Sequence, residues 1–210
     1  MKKTMLFLLI IIPGCLFAQF GIKAGLNFAN VSKASSINNS SRSGFQAGIL
    51  FEPRSKKILS SRTELIFSRQ GYNYKNGTNT GNVNLDYIML PQYMAINITK
   101  YFQIQVGGQM AILLNAKVDS SNGGGASSGS KILDLYNKFD FGYGGGIEVR
   151  PYKGLLVGAR VNISLGNLYK DIGNTTLSPT PSFIPKVDVK NNVFQIFAGW
   201  KFGGTKNKRK

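Results

Sequence analysis

The sequence contains no histidine, and its single cysteine is Cys15, close to the N-terminus. Histidine is the usual general base near neutral pH and the commonest metal ligand, so its absence removes most designs of serine hydrolase, cysteine protease and zinc enzyme. The lack of further cysteines excludes a disulfide scaffold and thiolate metal sites. We therefore expect no enzyme of a familiar kind and no cofactor.

Acidic residues are also scarce. The chain has 9 Asp and Glu against 26 Lys and Arg, which gives a formal net charge of +17. Such an excess indicates contact with a polyanion, and nucleic acid is the first class to consider. Lys2, Lys3 and the apolar run that follows them have the layout of an export signal, which argues against nucleic acid and favours the lipopolysaccharide phosphates of an outer membrane. Simple solvation of basic loops is the alternative.

The N-terminus has the layout of a secretory signal peptide. Lys2 and Lys3 precede an apolar run that reaches Pro13, and the small residue Ala18 before Gln19 provides a cleavage site. The apolar run is shorter than the roughly 20 residues that a spanning helix needs, which disfavours a permanent helical anchor. We predict cleavage between Ala18 and Gln19.

A second reading of the same segment remains open. Ile12-Pro-Gly-Cys15 resembles a lipoprotein box, in which Cys15 would become the acylated first residue, although a proline inside the box is unusual. The composition shows no abrupt shift that would mark a linker between domains. The predicted organisation is a signal peptide at 1–18, one domain at 19–202 and a basic C-terminal tail at 203–210.

In the mature chain, apolar residues recur at every second position, the period of a β-strand with two unlike faces. The fourth segment is apolar on both faces and contains Pro91, so its register is open. The seventh and eighth segments are each long enough to cross a bilayer at a tilt. The eight segments are Phe20–Val31, Phe45–Glu52, Ser61–Tyr72, Leu85–Ile98, Phe102–Leu114, Phe139–Arg150, Leu155–Leu165 and Phe194–Phe202.

The connections between these segments alternate in length. The second, fourth and sixth are short, whereas the first, third, fifth and seventh are longer and polar. This asymmetry places the long loops on one rim, as in outer-membrane barrels, whose tight turns face the periplasm. The sequence therefore predicts an all-β, closed, antiparallel up-and-down transmembrane β-barrel of about eight strands, with the N-terminus and the tail in the periplasm.

Aromatic residues are expected to form a girdle at each rim of such a barrel. A soluble lipocalin-like barrel would show the same alternation with its apolar face inward, but it needs neither girdles nor one-sided loops. At the rim with short turns we expect Phe20, Phe51, Tyr101, Phe102, Tyr152, Trp200 and Phe202. At the opposite rim we expect Phe28, Phe45, Tyr72, Tyr74, Tyr87, Phe139, Phe141, Tyr169 and Phe194.

Five short motifs resemble the PorT-like outer-membrane β-barrels of Gram-negative bacteria, in strand order over nearly the whole mature chain. They are 21–31 (GIKAGLNFANV), 64–71 (ELIFSRQG), 87–93 (YIMLPQY), 141–149 (FGYGGGIEV) and 197–202 (FAGWKF). The resemblance implies an eight-stranded outer-membrane barrel. Some members are linked to protein secretion, and most have no assigned role. The tail past Phe202 departs from the family pattern, and it is either a solvated end or a contact for a periplasmic partner.

The faces opposite the apolar ones would line the lumen and carry charges of both signs. An eight-stranded barrel is just wide enough for its side chains to fill it, so these charges predict a salt-bridged plug rather than an open pore. An anion path through Arg150 and Arg160 is the alternative, and no register evidence brings Glu64 and Glu148 together for acid–base chemistry. The predicted network comprises Lys23, Glu52, Arg62, Glu64, Asp140, Glu148, Arg150, Arg160 and Lys201.

On the outer surface, Arg69 has lipid-facing parity near the rim with long loops, and Lys75 follows it in a basic loop. Both are predicted to contact lipopolysaccharide phosphate. The leading functional expectation is a structural or interaction barrel that contacts membrane lipid and, through its long loops or its tail, another envelope protein. The alternative is a narrow transport or small-ligand-binding barrel.

Overall fold

The structure, a computed structural model, describes residues 18–32, 39–53, 58–76, 79–120, 127–128, 133–170 and 189–202. No helix within these ranges is long and apolar enough to cross a membrane. The strands in chain order are β1 (Ala18–Ser32), β2 (Ser40–Pro53), β3 (Leu59–Asn76), β4 (Asn79–Asn97), β5 (Phe102–Ser120), β6 (Ser127–Ser128), β7 (Phe139–Val149), β8 (Leu155–Ser164) and β9 (Lys190–Lys201).

The eight long strands form a closed antiparallel ring. Each pairs with its sequence neighbours, β5 pairs with β7, and the first and last strands close the ring through a register that runs from Gly21 opposite Lys201 to Ser32 opposite Lys190. The two-residue β6 pairs with the C-terminal end of β5. The prediction of a closed up-and-down barrel of about eight strands is confirmed.

The barrel has two unlike ends. Strands β2, β4, β7 and β9 end at one of them, here called the turn end, and the intervening strands begin there. The opposite end, here called the loop end, receives the segments that follow β1, β3, β5 and β8. The half of the lumen next to the turn end is called the turn half, and the half next to the loop end is called the loop half.

The alternation of side chains sets the two faces of the wall. In β1, Ile22 and Leu26 are exposed on the outside, whereas Lys23 and Asn27 are buried inside. Phe139 and Phe141 of β7 are likewise exposed. An apolar outer face with polar residues inside is the arrangement of a membrane barrel and the inverse of a lipocalin-like one.

Two sequence expectations about β3 and β4 change. The predicted long third connection is wrong, because the ladder continues to Asn76 opposite Asn79, with two residues between them. In β4, Pro91 and Tyr93 are buried in the lumen, which settles the register that the sequence left open. Pro91 lacks a backbone N–H, and the β3–β4 pairing is interrupted between Thr63 opposite Gln92 and Ile66 opposite Met89.

Not all of the aromatic residues predicted for the girdle at the loop end lie on the outer surface. Phe28, Phe45, Phe139, Phe141 and Phe194 lie outside, as a girdle requires. Four tyrosines do not, because their side chains point into the lumen and are buried there among apolar neighbours; these are Tyr72, Tyr74, Tyr87 and Tyr169. The loop half of the lumen is therefore richer in apolar side chains than the turn half, which the sequence pattern did not indicate.

Candidate functional site

The turn half of the lumen holds a group of ionised side chains, here called the charged cluster. It contains five cations and three carboxylates, contributed by β1, β2, β3, β7, β8 and β9 and by the residue after β7, and most of these side chains are fully buried. The members are Lys23, Glu52, Arg62, Glu64, Glu148, Arg150, Arg160 and Lys201.

Arg62 is the centre of the charged cluster. Its Nε and Nη2 donate to Oε2 of Glu52 at 3.0 and 2.7 Å, and its Nη1 and Nη2 donate to the two carboxylate oxygens of Glu148 at 2.5 and 2.8 Å. Nη1 also lies 3.7 Å from Oε1 of Glu64. One buried guanidinium therefore joins three carboxylates from three strands, and Glu64 and Glu148 meet through it.

Glu64 has two further cations of its own. Arg160 donates to both carboxylate oxygens, at 2.9 and 3.1 Å, and Nζ of Lys23 donates to Oε2 at 3.0 Å. Both cations also lie over aromatic rings, since the guanidinium carbon of Arg160 is 3.9 Å from the ring centre of Tyr93 and Nζ of Lys23 is 4.0 Å from that of Phe197. Ring faces stabilise buried cations because their quadrupole is negative there.

Glycines make room for these rings. A Cβ on Gly158 would lie 2.6 Å from Cζ of Phe197, and one on Gly144 would lie 2.1 Å from Oδ1 of Asn162, which accepts a hydrogen bond from the Tyr93 hydroxyl at 2.9 Å. Gly142, Gly144 and Gly146 of β7 each leave less than 3 Å for a Cβ, so these three glycines allow close packing within the barrel wall.

At the turn end, Glu52 joins the charged cluster to the mouth of the barrel. Nη2 of Arg150 donates to its two oxygens at 3.0 and 3.1 Å, and Nζ of Lys201 lies 3.1 Å from Oε2. Arg150 also donates to Glu148 through Nε at 2.9 Å. Arg150 is partly exposed, and Lys201 is buried just inside the mouth.

Two glutamines that the sequence analysis left out complete the charged cluster. Gln105 donates to Glu148 at 3.1 Å and to Gln103 at 2.8 Å, and it accepts from Nη2 of Arg160 at 2.5 Å. Gln103 donates in turn to Glu52 at 3.3 Å. Both alternate with outward-facing apolar residues in β5. This alternation places both glutamines inside the lumen and could have predicted that they join the charged cluster.

Asp140 is the one predicted member that the structure places elsewhere. It lies eight residues along β7 from Glu148, which is about 27 Å at the rise of an extended strand. Its Oδ2 accepts from the Ser164 hydroxyl at 2.5 Å. Asp140 therefore belongs to the loop half and contacts none of the described cations.

The loop half is filled by an apolar group, here called the loop-end plug. Tyr72 of β3 and Tyr87 of β4 are buried in it, together with Tyr136, Leu168 and Tyr169 from the segments beyond β5 and β8. The hydroxyl groups of Tyr72 and Tyr169 are hydrogen bonded, and that of Tyr136 lies 3.3 Å from the Tyr169 hydroxyl. Backbone pairing of Tyr136 with Tyr169 ties the two segments together.

Burial governs the ionisation of the two plug tyrosines that lie outside the strands. It raises the pKa of the Tyr136 and Tyr169 hydroxyls well above the usual range, because the phenolate would lose its hydration. Both hydroxyl groups therefore stay protonated and remain able to donate hydrogen bonds within the loop-end plug.

On the outer wall, Arg69 is not a free cation. Its Nε and Nη2 donate to the two oxygens of Asp86 at 2.6 and 3.0 Å, and its guanidinium lies 5.3 Å from the ring centre of Phe45. Lys75 lies nearer the loop end of the same strand and is exposed. The sequence did not reveal Asp86 as a partner, because the pairing depends on the β3–β4 register.

The remaining predicted features concern the termini. Ala18 and Gln19 are the first residues of β1, where Gln19 lies opposite Glu52. Cys15 and the tail 203–210 lie outside the described residues. In the part of the chain that the structure covers, no three His, Cys, Asp or Glu side chains gather in a way that could hold a metal ion.

The fold is similar to that of solved outer-membrane proteins. The crystal structure of Neisserial surface protein A matches with a TM-score of 0.53 and 18% identity, over 88% of this chain and 99% of that chain. The crystal structure of Ail, the attachment invasion locus protein of Yersinia pestis, matches with a TM-score of 0.50 and 16% identity over the same shares. No curated protein sequence matches.

These likenesses concern the fold alone, and the family is established by the sequence itself. The family model described as the outer membrane protein beta-barrel domain matches residues 14–170, well over half of the chain. The chain therefore belongs to that family and is a β-barrel protein of the outer membrane.

Proposed function

We propose that this protein is a structural or protein-interaction barrel whose lumen is closed, so that its function is exerted by its outer surfaces. The observation that carries the proposal is the presence of two unlike fillings in series, the charged cluster and the loop-end plug. Arg62, Arg160, Tyr72 and Tyr136 are among the largest fully buried side chains of the described residues. An eight-stranded barrel leaves little space once such side chains are inside.

The energetics support closure at both levels. Opening a path through the charged cluster would separate buried ions from their partners, and each uncompensated ion costs several kcal/mol. Opening the loop end would expose the plug's tyrosine and leucine side chains to water. Since Glu64 and Glu148 are both engaged with Arg62, we assign them a structural rather than a catalytic role.

The resemblance to PorT-like barrels supports a link to protein secretion, with contacts made by the long loops or by the tail 203–210. We propose that the turn end, with the N-terminus and the tail, faces the periplasm. In the bacterium that carries this protein, a deletion strain should export less protein into the medium, while uptake of small solutes stays unchanged.

Complementation makes this test specific to the tail. The full chain should restore export, a chain ending at Phe202 should not, and a chain with Gln at the four tail cations would show whether charge is what matters. These cations are Lys206, Lys208, Arg209 and Lys210. Unchanged export together with reduced solute uptake would instead support the narrow transport barrel.

We also propose that lipopolysaccharide phosphate contacts the outer wall at the loop end. Lys75 is exposed there, whereas Arg69 is engaged by Asp86 and brings less net charge. Lys75→Gln should therefore reduce co-purified lipopolysaccharide more than Arg69→Gln does. Equal retention of lipopolysaccharide by both variants and the unmodified chain would refute the contact.

We also propose how the N-terminus is processed. Residues 1–18 are removed, and the mature barrel begins at Gln19. Intact-mass measurement of the protein from outer membranes should give a chain without acyl groups that starts at Gln19. A mass with acyl chains on Cys15 would show that the lipoprotein reading was right instead.

A further inference from the structure

The turn end contains an open cavity of about 780 Å³ at the mouth of the barrel. It is lined by the connections between β4 and β5 and between β7 and β8, and by the ends of β1 and β9. Four of the lining residues are cations, and none of the described lining residues carries a carboxylate. The cations are Lys100, Arg150, Lys153 and Lys201.

The floor of this cavity is an ordered ionic surface rather than a set of mobile lysines. Arg150 and Lys201 are both fixed by Glu52, and Arg150 is held a second time by Glu148. Nη1 of Arg150 has no hydrogen-bond partner among the described residues, so a fixed guanidinium retains donors for a ligand. The guanidinium fork suits the oxygen atoms of phosphate.

The formal positive charge of the charged cluster lies at this floor. The deeper cations Lys23, Arg62 and Arg160 are matched in number by the three carboxylates, so Arg150 and Lys201 are the cluster's surplus of two positive charges. A cleft with low-dielectric walls and charge of one sign focuses its field and concentrates counter-ions. Lys100 and Lys153 add to this field at the rim.

The walls add apolar surface beside the cations. Tyr101 and Tyr152 line the cavity with Leu155, and Nζ of Lys100 lies 4.8 Å from the ring centre of Tyr101. Aromatic rings next to cations suit a ligand that carries a phosphate group on a larger carbon skeleton. The geometry points to a binding site for a phosphate ester at the turn-end mouth, with Arg150 and Lys201 as fixed contacts and Lys100 and Lys153 as rim contacts.

Two sources can supply this chemistry, a soluble phosphate ester or the headgroup of an anionic phospholipid. The full mature chain is placed in nanodiscs of zwitterionic lipid, and binding of glucose 6-phosphate is followed by calorimetry. In parallel, the protein is extracted from bilayers with phosphatidylglycerol, and retained lipid is counted by native mass spectrometry. Binding in the first arm identifies a soluble ligand, and retention in the second identifies a headgroup.

The site variant is Lys100→Gln with Lys153→Gln, which changes only rim residues outside the charged cluster. The matched control is Lys138→Gln with Lys170→Gln, which removes the same charge from exposed positions at the loop end. Because the site variant loses two charge-assisted contacts to the phosphate, it should bind at least about tenfold more weakly. The control should bind like the unmodified chain, and affinity should fall with added salt.

Either arm supports the site if binding is lost in the site variant and kept in the control. No binding in both arms, or equal loss in the site and control variants, would overturn it. The outcome is independent of the secretion proposal, because binding is measured on the isolated barrel.

Discussion

The two halves of the lumen are filled by opposite means. In the turn half, Arg62 and its neighbours are held by ion pairs, whereas in the loop half Tyr72 and Tyr169 are held by apolar packing and a few hydroxyl contacts. The turn-half residues come almost entirely from strands, and two of the loop-half tyrosines come from connecting segments. The charged half is thus part of the barrel wall, while the apolar half depends in part on segments that fold back into it.

This difference predicts how much of the barrel is destabilised by a substitution in each half of the lumen. A defect in the charged cluster should weaken the barrel as a whole, because its members lie on six strands or at their ends. A defect in the loop-end plug should loosen the loop end and leave the strands paired.

The largest effect is expected for Arg62→Met. Removing this guanidinium leaves Glu52 and Glu148 without their central partner, and breaking a buried ion pair in this way costs about 3–5 kcal/mol. Urea unfolding in detergent, followed by heat-modifiable gel mobility, should show the loss across the whole barrel. Lys138→Met, which breaks the exposed ion pair between Lys138 and Asp134, is the control and should change stability little.

A smaller and local effect is expected for Tyr169→Ala. Truncating a buried aromatic side chain costs about 3 kcal/mol of packing, and here most of that loss falls on the connecting segments. Limited proteolysis should cut the variant faster between β8 and β9, with gel mobility of the folded barrel unchanged. Global unfolding as severe as that of Arg62→Met would contradict the contrast between the halves.

The smallest effect is expected from alkaline pH. Burial raises the pKa of Tyr136 and Tyr169, so both bind their protons more tightly in the folded state. The resulting stability is fully present below the unfolded pKa of about 10 and is lost as the pH rises through the folded pKa. Above pH ~10, hydrogen exchange should speed up first at the loop end. Uniform acceleration through all strands would contradict a local plug.

The sequence predicts the turn half of the lumen better than the loop half. Strand period places Lys23, Arg62 and Arg160 inside correctly, because neighbouring side chains in a strand point to opposite faces. Which carboxylate each cation meets depends on the stagger of strands around the ring, which the sequence pattern does not contain. Contacts such as Arg62 with Glu148, 86 positions apart, are therefore found only in the structure.

The loop half was less predictable. Tyr72 and Tyr74 share their parity in β3 with Arg62 and Glu64, and this parity alone would have placed them inside. The expectation of an aromatic girdle pointed the other way. Tyr136 and Tyr169 lie in connections without periodic signal, so their return into the lumen has no counterpart in the sequence pattern.

The central claim is that two independent fillings close the lumen, and electrical conductance across planar bilayers tests it most directly. The chain is compared with a loop-half variant, Tyr136→Ala with Tyr169→Ala, with a turn-half variant, Gln105→Ala with Arg160→Ala, and with their combination. Heat-modifiable mobility confirms that each forms a barrel. We expect no current through membranes that contain the unmodified chain or either double variant. We expect current only for the variant that combines all four substitutions. Steady current through the unmodified chain would contradict the claim.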